Sequence, residues 1–184
     1  MGLFDFLKNL FREAPVKKEY ISRFTVNDLV QRTGLNYLEI QALEPVYKTF
    51  PIPKRSGGQR TIEAPDDKLK QIQRTILRKL LARLKAYPNV TGFERGHSIV
   101  TNANVHVGAE VIIRLDIKDF FGRTSAGRVL DFFRSIGWNQ EAAELVTRLT
   151  THNNHLPQGA PTSPRLANLV NYQMDVRLAR LAEK

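Results

Sequence analysis

Asp116 ends the run Glu110-Val111-Ile112-Ile113-Arg114-Leu115, and Phe120 and Phe121 follow within five residues. The β-branched residues predict a strand over 110–115 that delivers the carboxylate at its far end. A carboxylate there, followed by two aromatic rings, suits a metal-dependent phosphoryl-transfer centre, where hard oxygen ligands hold divalent cations against phosphate oxygens. Such a centre needs at least two carboxylates converging on two cations, and no second one is evident. Taken alone, Asp116 also reads as a strand-end cap or salt-bridge partner. Two other segments carry chemistry. Lys54, Arg55 and Arg60 crowd the tip of a predicted hairpin, either protecting an edge strand by charge or gripping phosphates. In Leu156-Pro157-Gln158-Gly159-Ala160-Pro161-Thr162-Ser163-Pro164, the glycine and prolines force a tight approach just before a helix, where backbone N–H groups favour phosphate.

The elements that position these groups follow from local signals. Thr25 caps a helix to about Arg32 that Gly34 ends, and a second short helix runs from about Tyr37 to Leu43. The pair forms a small helical cap; the spacing also resembles a helix-turn-helix. Tyr47 to Lys54 alternates, Ser56-Gly57-Gly58 turns, and Gln59 to Glu63 returns, with Pro51 and Pro53 marking an edge strand. Leu69, Ile72, Ile76, Leu77, Leu80, Leu81 and Leu84 predict one amphipathic helix. Its other face carries Lys70, Arg74, Arg78, Lys79 and Arg83, either solvated or following a nucleic-acid backbone. Ser125 and Asn139 cap two further helices. Thr162-Ser163-Pro164 opens a last one that continues at helical spacing to the terminus, with Asp175 as a surface charge.

Composition narrows the class. The 184 residues hold 28 Lys and Arg against 18 Asp and Glu, a formal charge of +10, which favours a polyanionic partner such as nucleic acid. With 42% hydrophobic residues the chain can bury a core, and without cysteine it has neither disulfides nor thiolate metal sites. No apolar run reaches transmembrane length and no signal-peptide pattern is visible, so a cytoplasmic protein is expected. Leu3, Leu7, Leu10 and Phe11 share one helical face, which packs on the protein or a partner rather than on a membrane.

From about Tyr47 to Lys184, the order and spacing of these motifs closely resemble bacterial retron-type reverse transcriptases. Thr91-Gly92-Phe93, Arg95 through Ile99 and Asn102-Ala103-x-x-His106 resemble the segments that mark that group. The resemblance implies an α+β fold: an N-terminal helical extension over 1–45, fingers over 46–108 and a partial palm over 109–184. It implies RNA-directed DNA polymerisation, with two Mg²⁺ ions (or Mn²⁺), an RNA template, a DNA or RNA primer and deoxynucleoside triphosphates. Asp116 then matches the first metal-binding aspartate, and Ile117 the position whose carbonyl also touches a metal. Phe121 matches the ring that disfavours a 2′-hydroxyl. Asp119 and Phe120 match positions whose backbone lies near the triphosphate, and Arg60 and Lys54 the finger residues that hold it. Gln158 and Gly159 match the loop beside the nascent base pair. Asn102 and His106 belong to the family signature, as structural or RNA-facing residues; read without it, they are a turn residue and a satisfied buried histidine.

The family pattern also requires a Tyr-x-Asp-Asp hairpin and a thumb, and these residues carry neither. A fragment, one half of a split enzyme whose second chain supplies both, and a reduced RNA-binding protein are the three readings of that gap. Each predicts a chain that does not polymerise alone, and the first two an apolar strand edge that self-associates or seeks a partner. The resemblance further implies a structured non-coding RNA partner and a role in anti-phage defence.

Overall fold

The computed structural model describes residues 19–54 and 57–183. Capping chemistry sets the first two helices. Thr25 and Asp28 form a reciprocal capping box at the start of α1 (Val26–Thr33), and Gly34, at φ 72°, ends it. Hydrogen bonds from the Thr25 backbone N–H and hydroxyl hold the Asp28 carboxyl below its ordinary value. Asn36 accepts from the Glu39 N–H to open α2 (Tyr37–Ala42). The expected helical cap is present, and Arg148 fastens it by reaching the carbonyls of Ile40, Gln41 and Leu43. The predicted apolar face at Leu3 to Phe11 lies outside the described residues.

β1 (Tyr47–Pro53) and β2 (Gln59–Pro65) pair antiparallel, with Tyr47 opposite Pro65 and Pro53 opposite Gln59. A two-stranded ribbon is marginal in water unless it packs on something larger. α3 (Asp67–Lys79) supplies part of that support through Leu69, Ile72 and Ile76. The helix expected to run on to Leu84 instead tightens into a 3₁₀ turn over Leu81–Arg83. The reason is tertiary: Arg165 draws the carbonyls of Leu81 and Leu84 to its guanidinium and pairs with Glu94. α4 (Ile99–Asn104) is short and buries none of its residues.

Four helices complete the chain: α5 (Ala126–Ser135), α6 (Gln140–Thr150), α7 (Ser163–Val170) and α8 (Tyr172–Ala182). The single terminal helix expected from Thr162 breaks at Asn171. Its side-chain amide donates to the Ala167 carbonyl (2.8 Å) and the Thr124 hydroxyl (3.3 Å), tying the break to the segment before α5. Leu29, Ile40, Leu69, Ile76, Phe133, Leu149 and Leu166 share one core. The fold is therefore α+β, with most of the described helices around that core and a small sheet at its edge. No described helix is long and apolar enough to cross a membrane.

The strand expected over 110–115 does not form. Val111, Ile112 and Ile113 belong to no helix or strand and are 77%, 63% and 75% exposed. A strand is stable only when its N–H and C=O rows meet a neighbouring ladder. Among the described residues the only sheet is β1–β2.

Candidate active site

An open cleft of about 1100 Å³ lies between the hairpin, the Asp116 segment and the loop before α7. The hairpin forms one wall. Arg60 sits opposite Ile52 near its tip, and the Lys54 N–H donates to the Gly58 carbonyl (3.0 Å) as the turn closes. Gly57 and Gly58 adopt φ 86° and 78°, which L-residues rarely do. Arg55 and Ser56 lie outside the described residues.

The floor is built from 116–124. Asp119 adopts φ 61°, its carbonyl accepts from the Arg123 N–H (2.9 Å), and that of Phe121 accepts from the Thr124 N–H (3.1 Å). This turn sets the rings of Phe120 and Phe121 side by side, 5.9 Å between centroids, against the margin of the core. A Cβ at Gly122 would lie 3.0 Å from an Asp119 carboxylate oxygen, so the glycine makes room for that side chain.

The third wall is the segment Leu156 to Gly159. The Gln158 carbonyl accepts from the Glu63 N–H (2.9 Å), bonding this loop to β2. Gly159, at φ 138°, permits the approach: a Cβ there would stand 2.9 Å from an Ile62 methyl and 3.0 Å from the Glu63 carbonyl oxygen.

Seven expected site residues thus line one cleft: Lys54, Arg60, Asp116, Asp119, Phe120, Phe121 and Gln158. Ile117 and Gly159 do not line it; Ile117 is half-buried beside Asp116, and Gly159 lies against β2. Asn102 and His106 are elsewhere and exposed, so His106 is not the buried histidine of one expectation. Asn102 accepts from the Thr91 hydroxyl (2.7 Å), linking the two signature segments. Asp175 is no simple surface charge: it is half-buried, and burial pushes its carboxyl up to about 6.

Sequence reasoning missed Glu63, which is buried at the cleft's base. Its Oε2 lies 2.7 Å from His155 Nε2, and Oε1 3.7 Å from His152 Nε2. His155 Nδ1 meets the Asn153 carbonyl (3.0 Å), so an oxygen acceptor faces each ring nitrogen. His152 stacks on Tyr47, 4.3 Å between ring centroids. The Tyr47 hydroxyl accepts from Gln73, whose amide also donates to the Leu149 carbonyl, both at 2.9 Å. Burial pushes the Tyr47 phenol up to about 12; the Gln73 hydrogen bond works against that shift, and the Glu63 and Asp66 charges add to it. The local hint was the His152-x-x-His155 spacing; the Glu63 partner lies 92 residues away in sequence.

The cleft has the donor chemistry of a hard-cation site, since Asp116 offers an exposed carboxylate. Among the described residues, however, no three His, Asp or Glu side chains gather to hold an ion. A two-ion centre does not fit these residues alone, and no step is derived through one.

Comparison with known proteins gives the family. The family described as reverse transcriptase (RNA-dependent DNA polymerase) matches residues 52–182. The chain belongs to the reverse transcriptase family. Within it, the chain is similar to the retron Ec86 reverse transcriptase of Escherichia coli, 38% identical over 134 residues, covering 72% of this chain and 42% of that protein. The retron Mx65 and Mx162 reverse transcriptases of Myxococcus xanthus are 39% and 36% identical over 156 residues. Those matches cover 75% of this chain, and 36% and 32% of the relatives. The chain thus spans between about a third and a half of the length of the curated relatives it matches.

Proposed function

We propose that these residues form the fingers and first part of the palm of an RNA-directed DNA polymerase, in which a primer 3′-hydroxyl attacks the α-phosphorus of a deoxynucleoside triphosphate. One observation carries this reading: the cleft gathers two cations from the hairpin, the Asp116 carboxylate, two phenylalanine rings and Gln158. Lys54 and Arg60 neutralise the triphosphate, and the Asp119–Phe120 backbone lies beside it. The Phe121 ring packs under the sugar and disfavours a 2′-hydroxyl, while Gln158 and Gly159 border the nascent pair. Asp116 and the Ile117 carbonyl would hold magnesium, whose chemistry in such enzymes is to stabilise attacking and leaving oxygens. A two-ion centre needs more carboxylates than Asp116 supplies, so these residues do not polymerise by themselves. Residues 1–45, 46–108 and 109–184 correspond to helical extension, fingers and partial palm. A bacterial cytoplasmic setting, a structured RNA partner and a defence role rest on the resemblance to retron enzymes.

The test is to supply the missing palm hairpin and thumb and measure Mg²⁺-dependent deoxynucleotide incorporation on an RNA template. Asp116→Asn is expected to abolish incorporation. Synthesis that survives this substitution refutes the assignment of Asp116. A non-catalytic RNA-binding module is the second reading, favoured by the +10 charge and by the absence, among the described residues, of three side chains gathered to hold an ion. It predicts salt-sensitive RNA binding and no incorporation with any partner.

A further inference from the structure

Two further clefts lie away from the candidate active site and share none of its lining residues. The first, about 610 Å³, is framed by Phe24, Trp138 and the end of α3, and carries Arg32, Lys79 and Arg83. No acidic residue lines it. The second, about 930 Å³, carries Arg78, Arg83, Lys85 and Arg95 beside the exposed ring of Phe93. Its one lining carboxylate, Glu94, is already taken by Arg165 and Asn168. Arg83 and Leu84 line both clefts, so the 3₁₀ turn that Arg165 holds in place joins them into a single track.

The six cations are exposed, and none is in an ion pair among the described residues. Scattered solvated lysines and arginines ordinarily alternate with carboxylates. Here the carboxylates are absent from one cleft and neutralised in the other. Two cations are also held in place. Arg32 lies 4.0 Å above the Phe24 ring and 5.4 Å from that of Trp138, and Arg78 donates to the Arg74 carbonyl. An arginine positioned by stacking loses less freedom on meeting a phosphate than a free one.

We infer that this track binds the sugar–phosphate backbone of a single RNA strand, outside the polymerising cleft. Its placement runs from the helical cap, past the end of α3, to the loop over 84–97. A single strand fits better than a duplex because base faces can meet the Phe93 ring and the Arg95 guanidinium while phosphates follow the cations. The inference rests on the polymerase reading for the identity of the polyanion, and is tested separately from it.

The probe is a fluorescein-labelled 20-nucleotide oligouridine, with affinity read by anisotropy between 50 and 300 mM salt. Each single-strand phosphate contact contributes about 0.7 to the slope of log affinity against log salt. The triple variant Arg32→Gln, Lys79→Gln, Arg83→Gln is therefore expected to lower that slope by about 2 and to weaken binding at low salt. Lys85→Gln with Arg95→Gln is expected to lower it by about 1.4 on the same scale, which guards against misfolding of the triple variant. In parallel, a fluorescent N-methylanthraniloyl-dATP reports the polymerising cleft: track variants leave its binding unchanged, and Lys54→Gln with Arg60→Gln weakens it. Unchanged RNA slopes in both track variants overturn the inference, as does a loss seen with oligodeoxythymidine but not with RNA. Nucleotide binding unchanged by Lys54→Gln with Arg60→Gln, with RNA slopes still falling, overturns the polymerase reading of the cleft and leaves the track standing.

Discussion

Gly159→Ala exposes how the cleft is held together. The added methyl would lie 2.9 Å from the Ile62 side chain and 3.0 Å from the Glu63 carbonyl oxygen, and the backbone there holds φ 138°. Forcing an L-residue into that conformation costs about 1–3 kcal/mol. Crowding a packed contact costs a further 1–3 kcal/mol or so. The neighbour is a strand backbone and cannot swing aside, so we expect a total loss of about 3 kcal/mol, a large share of a domain's usual 5–15. Trp138, the only tryptophan, is buried beside Phe24 and reports unfolding by its fluorescence. With a urea dependence of about 2 kcal/mol/M, the midpoint should fall by about 1.5 M. Gly127→Ala is the internal contrast. That glycine lies in α5, and its added methyl meets nothing nearer than 3.9 Å. The same chemical change there should stabilise by about 0.5–1 kcal/mol through helix propensity. Equal midpoints for the two variants would refute the claim that the loop is pressed against β2.

Glu63→Gln keeps the shape of the side chain but removes the charge between His152 and His155, and should cost about 1–2 kcal/mol in the same urea titration. It should also weaken binding of the fluorescent dATP; full stability together with full affinity would show that the histidines do not depend on the charge. For Asp175, the fold raises the carboxyl from about 3.8 to about 6, so the native state keeps a proton that the unfolded chain releases. Stability must then fall as pH rises between about 4 and 6, by about 1 kcal/mol after discounting for a half-exposed group. Thermal melts of Asp175→Asn should lose that decline and lie above the wild type at pH 7; parallel pH profiles would contradict the burial effect.

Much of the helical framework was legible because its signals are local. Thr25, Ser125 and Asn139 cap the helices they were expected to cap, and Gly34 ends α1. The hairpin was equally readable from its prolines and glycines. What failed was non-local. The sequence 110–115 has strand composition, but a strand is a property of two segments, and no described segment pairs with it. The break at Asn171 comes without glycine or proline; its side chain hydrogen-bonds the Ala167 carbonyl and Thr124, the latter 47 residues away. In the site, the motif residues were readable individually, and the cleft joins seven of them. The Glu63–His155 contact was not readable, because each partner looks like an ordinary polar residue until the loop folds back onto β2.

That contact also limits how the hairpin can move. The Glu63–Gln158 and Glu63–His155 bonds and the Ile62–Gly159 contact pin the root of β2 to the loop that forms the third wall of the cleft. The ribbon therefore cannot swing as a rigid arm about its junction with α3. Bending is confined to the stretch beyond Ile62, three residues of β2 with a reach of about 10 Å at 3.3 Å per residue. Arg60 and Lys54 ride on that stretch, while Gln158 stays with the anchored part. A phosphate arriving in the cleft would thus curl a fingertip over itself against a fixed knuckle.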